Sequence, residues 1–319
     1  MTDTLHATHS PGVPILRLGT RNSPLAMAQA YETRVRLCAA HGWNEAAVEL
    51  VPVVASGDKV LDRPLAEIGG KALWTKELDQ WLDEGRIDAA VHSMKDVETL
   101  RPPMLAIAAV LPRADTADRL VGAASIEEIP HGATVGTSAP RRAAQLLHAR
   151  PDCKVVTFRG NVATRLGKLS DGEADCTLLA SAGLDRLGED GVGARLDPEQ
   201  WLPAPAQGAI GIECRADDSA ARAFLAAIDH APSRQAVMAE RALLKALGGN
   251  CHSPIAMLSG TDGAQLTLRC ALFSPDGAER IEESASGPAG EWDWVAAMGA
   301  GLLARLSSNM APHFGHHGT

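Results

Sequence analysis

The chain has 319 residues, 45% of them apolar and 22% charged, which excludes a wholly disordered chain and allows about two or three domains. Thirty basic against thirty-nine acidic residues leave a net charge of −9, and aromatics are only 3%. That balance argues against nucleic-acid binding, anionic-membrane binding and a base-stacking surface. No apolar run approaches the roughly 20 residues that a membrane helix needs. The N-terminal stretch has no basic n-region or apolar h-region, so no secretory signal is expected. Six scattered cysteines, Cys38, Cys153, Cys176, Cys214, Cys251 and Cys270, form no CxxC pair. A zinc ribbon or disulfide scaffold is therefore not expected, no metal site is expected, and a reducing cytoplasm fits.

Residues 1–14 and 311–319 read as loose arms, the second carrying His313, His316 and His317. Between them, β-branched runs alternate with amphipathic helices. ILRLG (15–19) predicts a strand. Asn22 and Ser23 offer N-cap oxygens and Pro24 suits a first helical turn. Met27, Tyr31, Val35 and Cys38 predict the buried stripe of the following helix. VELVPVVA (48–55) predicts a strand. Residues 71–84 predict a helix with the stripe Trp74, Leu78, Trp81 and Leu82. Gly69-Gly70-Lys71 lacks the Walker spacing and reads as a hinge or helix-start loop. IDAAVH (87–92) predicts a strand entering the polar turn Ser93-Met94-Lys95-Asp96. This order argues for a mostly parallel sheet with helices on both faces.

The pattern then restarts. Strands are expected at 133–137, 154–158 and 174–180, with helices opening at 138–150 and within 159–169. The Pro-rich piece at 198–205 resembles a linker, and 217–229 and 233–247 read as helices. A different segment follows the Gly-rich loop 248–254. Strands at 255–259 and 265–273 lead to the turn signal SPDG, a hairpin, and a terminal helix at about 291–307. The expected fold is α/β, with two doubly wound domains and a small C-terminal α+β domain.

Arginines cluster at polar strand ends and helix starts: Arg21, Arg141, Arg142, Arg159, Arg165 and Arg186. Singly, each reads as surface salt-bridging. As a set, at equivalent points of two domains, they predict a small polyanionic ligand, because helix N-termini and guanidinium forks both favour carboxylates and phosphates. Asp96 follows a strand directly, where α/β sites lie. By itself it reads as a turn carboxylate, with a proton-transfer or cation-stabilising role as the alternative. Cys251 sits in a Gly-rich loop, and nothing local separates it from the other cysteines.

Taken together, LGTRNSPLAMAQA, GDKVLDRPLAEIGGKALWTKEL, DAAVHSMKDV, VGTSAPRRAAQL, RGNVATRL, ASAGLDRLG, LPAPAQGAIGIECR and LGGNCHSPI resemble the porphobilinogen deaminase (hydroxymethylbilane synthase) family, in the family's order over about residues 15–260. The resemblance implies two periplasmic-binding-protein-like α/β domains plus a small α+β domain. The implied divisions are 15–111 with 209–226, 115–203, and 231–319. It implies head-to-tail joining of four porphobilinogen molecules with loss of ammonia, giving linear hydroxymethylbilane, in tetrapyrrole biosynthesis. It implies a covalent dipyrromethane cofactor held by a thioether to Cys251, and Asp96 as the catalytic aspartate beside the azafulvenium cation that loss of ammonia leaves. Arg21, Ser23, Lys95, Thr137, Ser138, Arg141, Arg142, Arg159, Arg165, Arg186 and Gln207 match its cofactor- and substrate-binding positions, and Trp74 its candidate aromatic wall. The family default is a cytoplasmic monomer. The chain departs from the pattern at Ala139 (commonly serine), Trp74 (phenylalanine), Asn250 (glycine) and Ala206 (glycine). The competing readings are a two-lobed binding protein for a small polycarboxylate, and the effector-binding half of a transcription regulator, which lacks a basic DNA-reading helix.

Overall fold

The computed structural model describes residues 14–53, 75–250 and 252–315. The first strand, β1 (Leu16–Arg21), alternates so that Leu16 and Leu18 are fully buried. Gly19 is required by close approach, since a Cβ there would lie 2.4 Å from Ile87 Cδ1. Ser23 then caps the helix Pro24–His41 by accepting the Ala26 N–H at 3.4 Å, and Gly42 in the left-handed region ends it.

That helix buries a different face from the one its apolar spacing predicts. Tyr31 and Val35 are exposed, and the buried line is Ala26, Ala30, Thr33 and Leu37, with Gln29 beside it. The polar members hide this face from a hydropathy count because their needs are met inside. Gln29 Nε2 donates to Ser93 Oγ at 2.8 Å, and Thr33 Oγ1 donates to the Gln29 carbonyl at 2.8 Å.

The first sheet also takes β2 (Val48–Val53), β3 (Ala89–Ser93) and β4 (Leu105–Val110), with the helix Lys76–Asp83 between β2 and β3. β2 lies at the edge, which tolerates Pro52. Leu78 and Leu82 are buried as their spacing predicts. Trp74 and the glycine pair before it lie outside the described residues.

The second sheet is built from β5 (Asp118–Val121), β6 (Thr134–Gly136), β7 (Lys154–Val156), β8 (Cys176–Ala180) and β9 (Ala194–Arg195), with helices Pro140–Ala149, Val162–Ser170 and Ser181–Arg186. β10 (Ile210–Arg215) then returns to the first sheet. The strand orders are β2-β1-β3-β10-β4 and β7-β6-β8-β5-β9, one plan used twice. In each sheet the fourth strand arrives from the other lobe and runs antiparallel to its neighbours. Both are α/β doubly wound sheets, each mostly parallel with one reversed strand.

The chain thus crosses between lobes twice, at 111–117 and 196–209. The crossings are fastened together. Ala114 N–H donates to the Gly208 carbonyl at 3.3 Å, and Gln207 Nε2 donates to the Thr116 carbonyl at 2.7 Å. The Pro-rich piece expected as a linker is packed: Trp201, Leu202 and Pro203 are buried, and the Pro203 carbonyl accepts the Met257 N–H at 2.9 Å. The indole of Trp201 belongs to the second lobe's core, which is what draws the segment in.

Helices Ser219–Ala226 and Ala231–Ala246 lead to the third sheet, an antiparallel meander of β11 (Ile255–Thr261), β12 (Gln265–Phe273) and β13 (Arg280–Pro288). Leu243 and Leu247 pack with Val295, Met298 and Leu302 of the helix Asp293–Ala304 and with one sheet face. This is the small α+β unit.

Candidate active site

The carboxyl ends of β1, β3 and β8 and the helix starts that follow them open onto one cleft of about 1040 Å³ between the lobes, where ligands of open α/β sheets bind. Among the described residues its wall carries seven arginines and Lys95, against two carboxylates, Asp96 and Glu189. In a chain of net charge −9 that concentration of cations marks the place where an anion is held.

Most of the residues that the resemblance singles out meet here. Arg21, Ser23, Lys95, Asp96, Ser138, Arg141, Arg142, Arg159, Arg165, Arg186 and Gln207 all line the cleft. Lys95 and Asp96 ride on a 3₁₀ turn, Met94–Asp96, that follows β3, with Met94 buried beneath as its anchor. Asn161 caps the helix Val162–Ser170 by accepting the Thr164 N–H at 2.9 Å, and Arg165 in its first turn lines the cleft, its Nε donating to the Gly160 carbonyl at 3.0 Å. Arg186 spans the lobes, donating to the Gly208 carbonyl at 3.1 Å and pairing with Glu32 at 3.5 Å. Thr137 is buried behind the wall, its Oγ1 accepting the Ala139 N–H at 3.2 Å. Ala139, lacking a hydroxyl, gives its helix no side-chain cap.

Cys251 and Trp74 lie outside the described residues. The neighbours of Cys251, Asn250 and His252, line the cleft, as does Ser253. Asn250 makes its own turn: its carboxamide oxygen accepts the His252 N–H at 2.8 Å, and its N–H donates to Ser253 Oγ at 3.1 Å. A glycine is therefore not needed there.

The cations are held in a strained electrostatic balance. Burial pulls the Lys95 ammonium down to about 8, with Asp96 opposing the fall and Arg142 adding to it. Burial likewise lowers Arg165 to about 10, assisted by Arg142 and opposed by Asp96. A bound carboxylate relieves both effects at once.

Three determinants escaped the sequence reading. Asp118, fully buried at the head of β5, is the counter-ion of the arginine pair. Its Oδ2 accepts from Arg141 Nη2 at 2.8 Å and its Oδ1 from Arg142 Nη2 at 2.7 Å, while Gln207 and the Trp201 indole each add a donor. Arg141 Nε keeps no partner, so the cluster of two cations and one carboxylate still carries positive charge and an unused buried donor. Glu240 in the C-terminal unit pairs with Arg113 at 2.7 Å and accepts the backbone N–H of Ala206. Arg241, next to it, donates to the carbonyls of Val97, Glu98 and Thr99. An acidic residue opening an apolar strand was the only local hint for Asp118.

A family model described as porphobilinogen deaminase, dipyromethane cofactor binding domain, matches residues 16–223, and a second, porphobilinogen deaminase, C-terminal domain, matches residues 234–306. The porphobilinogen deaminase of Sphingopyxis alaskensis is 59% identical over 273 residues, spanning 83% of this chain and 86% of that one. That of Paracoccus denitrificans is 50% identical over 302 residues, spanning 94% and 96%. The chloroplastic protein of Oryza sativa subsp. japonica is 46% identical over 308 residues, spanning 95% and 86%. Among solved structures, the Bordetella pertussis BvgS periplasmic VFT2 domain is a distant likeness, with 16% identity, a TM-score of 0.40, and coverage of 67% of this chain and 86% of that one. The two family domains account for both lobes and the C-terminal unit, and the simple binding-protein reading is set aside. With its cation-lined cleft and these relatives, the chain belongs to the porphobilinogen deaminase family.

Proposed function

We propose that Asp96 is the catalytic carboxylate of this cleft, that Cys251 is the cofactor attachment point, and that the arginines divide the carboxylates of cofactor and substrate among them. The enzyme is a hydroxymethylbilane synthase, joining four porphobilinogen molecules head to tail with release of ammonia, and its cofactor is dipyrromethane. The observation that carries the residue assignment is the cleft itself: beside Asp96, the arginine, lysine and carboxylate side chains of its described wall are eight cations and one further carboxylate.

Each porphobilinogen carries an acetate and a propionate, so the cofactor alone brings four carboxylates. The residues present fit such a group: bidentate guanidinium forks, the helix start at Ser23, and the unused Nε donor of Arg141. Bound there, the cofactor supplies a primer end to which units are added. The chain's own groups do the rest. Arg21, Arg159 and Arg165, all on the cleft wall, can fix carboxylates there, which sets the reacting carbons within reach of each other. Leu25, Val97, Leu166 and Leu187 supply apolar wall that weakens solvent screening. Asp96 offers a fixed negative oxygen to the pyrrole nitrogen on which positive charge develops, and can hold a proton in passage.

Incubation of the protein with porphobilinogen should release ammonia and yield hydroxymethylbilane. Asp96→Asn should keep the cofactor, by intact mass, and lose turnover by about 10²-fold or more, the size expected for one well-placed electrostatic group. Near-normal turnover in that variant overturns the assignment.

The domain divisions 15–111 with 209–226, 115–203 and 231–319 are part of the same proposal, as are a monomer and a cytoplasmic setting. The five described cysteines are unpaired, which suits a reducing compartment, and among the described residues no helix is long and apolar enough to cross a membrane. Light scattering on the eluting peak should return the mass of one chain.

A further inference from the structure

The segment 97–99, directly after Asp96, is strapped down from the C-terminal unit. Arg241, on the helix Ala231–Ala246 and 6% exposed, donates from Nη1 to the Val97 carbonyl at 3.3 Å, and from Nη2 to the carbonyls of Glu98 at 2.7 Å and Thr99 at 3.2 Å. Three successive carbonyls are thus gathered by one guanidinium. The far end of the strap is fixed separately. Arg101 pairs with Glu98 at 2.7 Å and with Glu213 at 2.8 Å, and Thr75 Oγ1 donates to Glu98 Oε2 at 2.8 Å. The strap also reaches the loop before Cys251: Thr99 Oγ1 donates to the Gly249 carbonyl at 2.8 Å.

We propose that Arg241 is a positioning residue that sets the place of the Asp96 carboxylate, so that the C-terminal unit fixes the catalytic carboxylate and the attachment loop in one frame. The inference rests on the reading of Asp96 as the catalytic carboxylate. Both terminal nitrogens of Arg241 are spent on three successive backbone carbonyls beside Asp96, which ties its guanidinium to the strap itself. A lysine cannot take its place, since a single ammonium lacks the planar fork that spans neighbouring carbonyls. Buried carbonyls left without their donor would let the strap relax, and a displacement of about 1 Å at a reacting group can cost on the order of 10²-fold in rate.

The test uses holoenzyme forms of Arg241→Ala, Arg241→Lys, Asp96→Asn and the double variant Asp96→Asn/Arg241→Ala, each checked for cofactor by intact mass. Arg241→Ala should retain cofactor and lose kcat by about tenfold to a hundredfold, with KM within about threefold of wild type. Guanidinium chloride at millimolar concentration should restore part of the lost kcat in Arg241→Ala and none in Asp96→Asn. The double variant should turn over no more slowly than Asp96→Asn alone, because a residue that acts through Asp96 has nothing left to position. If Arg241→Ala folds poorly, Arg241→Lys carries the same expectation of a kcat loss at constant KM. Wild-type kcat in both variants, a loss confined to KM, loss of the cofactor, or full additivity with Asp96→Asn overturns the proposal. A fully active Asp96→Asn would instead overturn the reading of Asp96 on which it stands.

Discussion

Gln207 Nε2 donates to Asp118 Oδ1 at 2.8 Å, which joins the two chain crossings through a single carboxylate. Asp118 closes the first crossing, Gln207 lies in the second, and the same carboxylate is the shared counter-ion of Arg141 and Arg142 in the cleft wall. The two chain crossings and the cleft-wall arginines Arg141 and Arg142 are therefore one connected polar network, in which no member can be removed without leaving a buried partner unmatched.

Asp118→Asn should destabilise the protein by about 3–5 kcal/mol at neutral pH, because it leaves two buried guanidinium groups without their counter-ion. Burial pushes the Asp118 carboxyl upward, but Arg141 and Arg142, with hydrogen bonds from Arg142 and Gln207, overturn that and hold it well below the usual carboxylate range. A depressed carboxyl contributes stability that is complete above its unfolded value, about 3.9, and is lost as pH falls below it. The wild type should therefore surrender about 1.4 kcal/mol of its advantage per pH unit below about 4. Urea midpoints for both proteins at pH 7 and pH 3 check this; parallel losses would exclude Asp118 as the source.

Burial pulls Lys95 down to about 8, so without a neighbouring ligand carboxylate its charge is on the point of loss just above neutrality. Uptake of the cofactor by cofactor-free protein, which must meet a charged Lys95, should slow as pH rises past about 8. Lys95→Arg, charged throughout, should keep the profile level to about pH 9.5. An unchanged alkaline limb in that variant would show that another group titrates there.

Ala206 has φ of 57°, alone among described non-glycine residues in the left-handed region, and its N–H is taken by Glu240. The conformation costs about 1–2 kcal/mol, and glycine would remove that cost while losing about 0.4–1 kcal/mol to greater freedom of the unfolded chain. Ala206→Gly should thus leave stability within about 1 kcal/mol of wild type, with activity retained. Ala206→Val, β-branched at the same φ, should lower the melting temperature by several degrees. Equal melting temperatures for the two variants would contradict the backbone argument.

Protein purified from cells that make porphobilinogen should exceed its sequence mass by one dipyrromethane, and Cys251→Ser should lack the excess. Cys153, Cys176, Cys214 and Cys270 are buried, which shields their thiols from reaction. An active wild type of unmodified mass would remove Cys251 from the proposal.

Local features were legible wherever neighbours in sequence are neighbours in space. The Ser23 cap followed by Pro24, the strand that leads into the polar turn of Asp96 and the SPDG hairpin all follow from short-range backbone rules, and the structure has each of them, the strand running Ala89–Ser93 against the predicted 87–92. The placement of arginines beside strand ends already indicated a polyanion, and the ordered motifs indicated the family. Two local readings went astray for the same reason. The helix after β1 buries its alanine and threonine face instead of Tyr31 and Val35, and the piece at 198–205 is packed around Trp201, because in both the burial is decided by partners far along the chain.

Tertiary structure alone decided which charges oppose one another. Asp118 and Arg142 are 24 residues apart, Arg101 and Glu213 are 112 apart, and Arg241 meets Val97 across 144. No local pattern encodes such pairs, since a titratable side chain carries the same letter in solvent and in a buried network. The amino-acid sequence determined the inventory of cations, the carboxylate at Asp96 and the elements that display them. The fold's double crossing brought counter-ions such as Asp118 inside, where low dielectric makes each pairing strong and each omission costly.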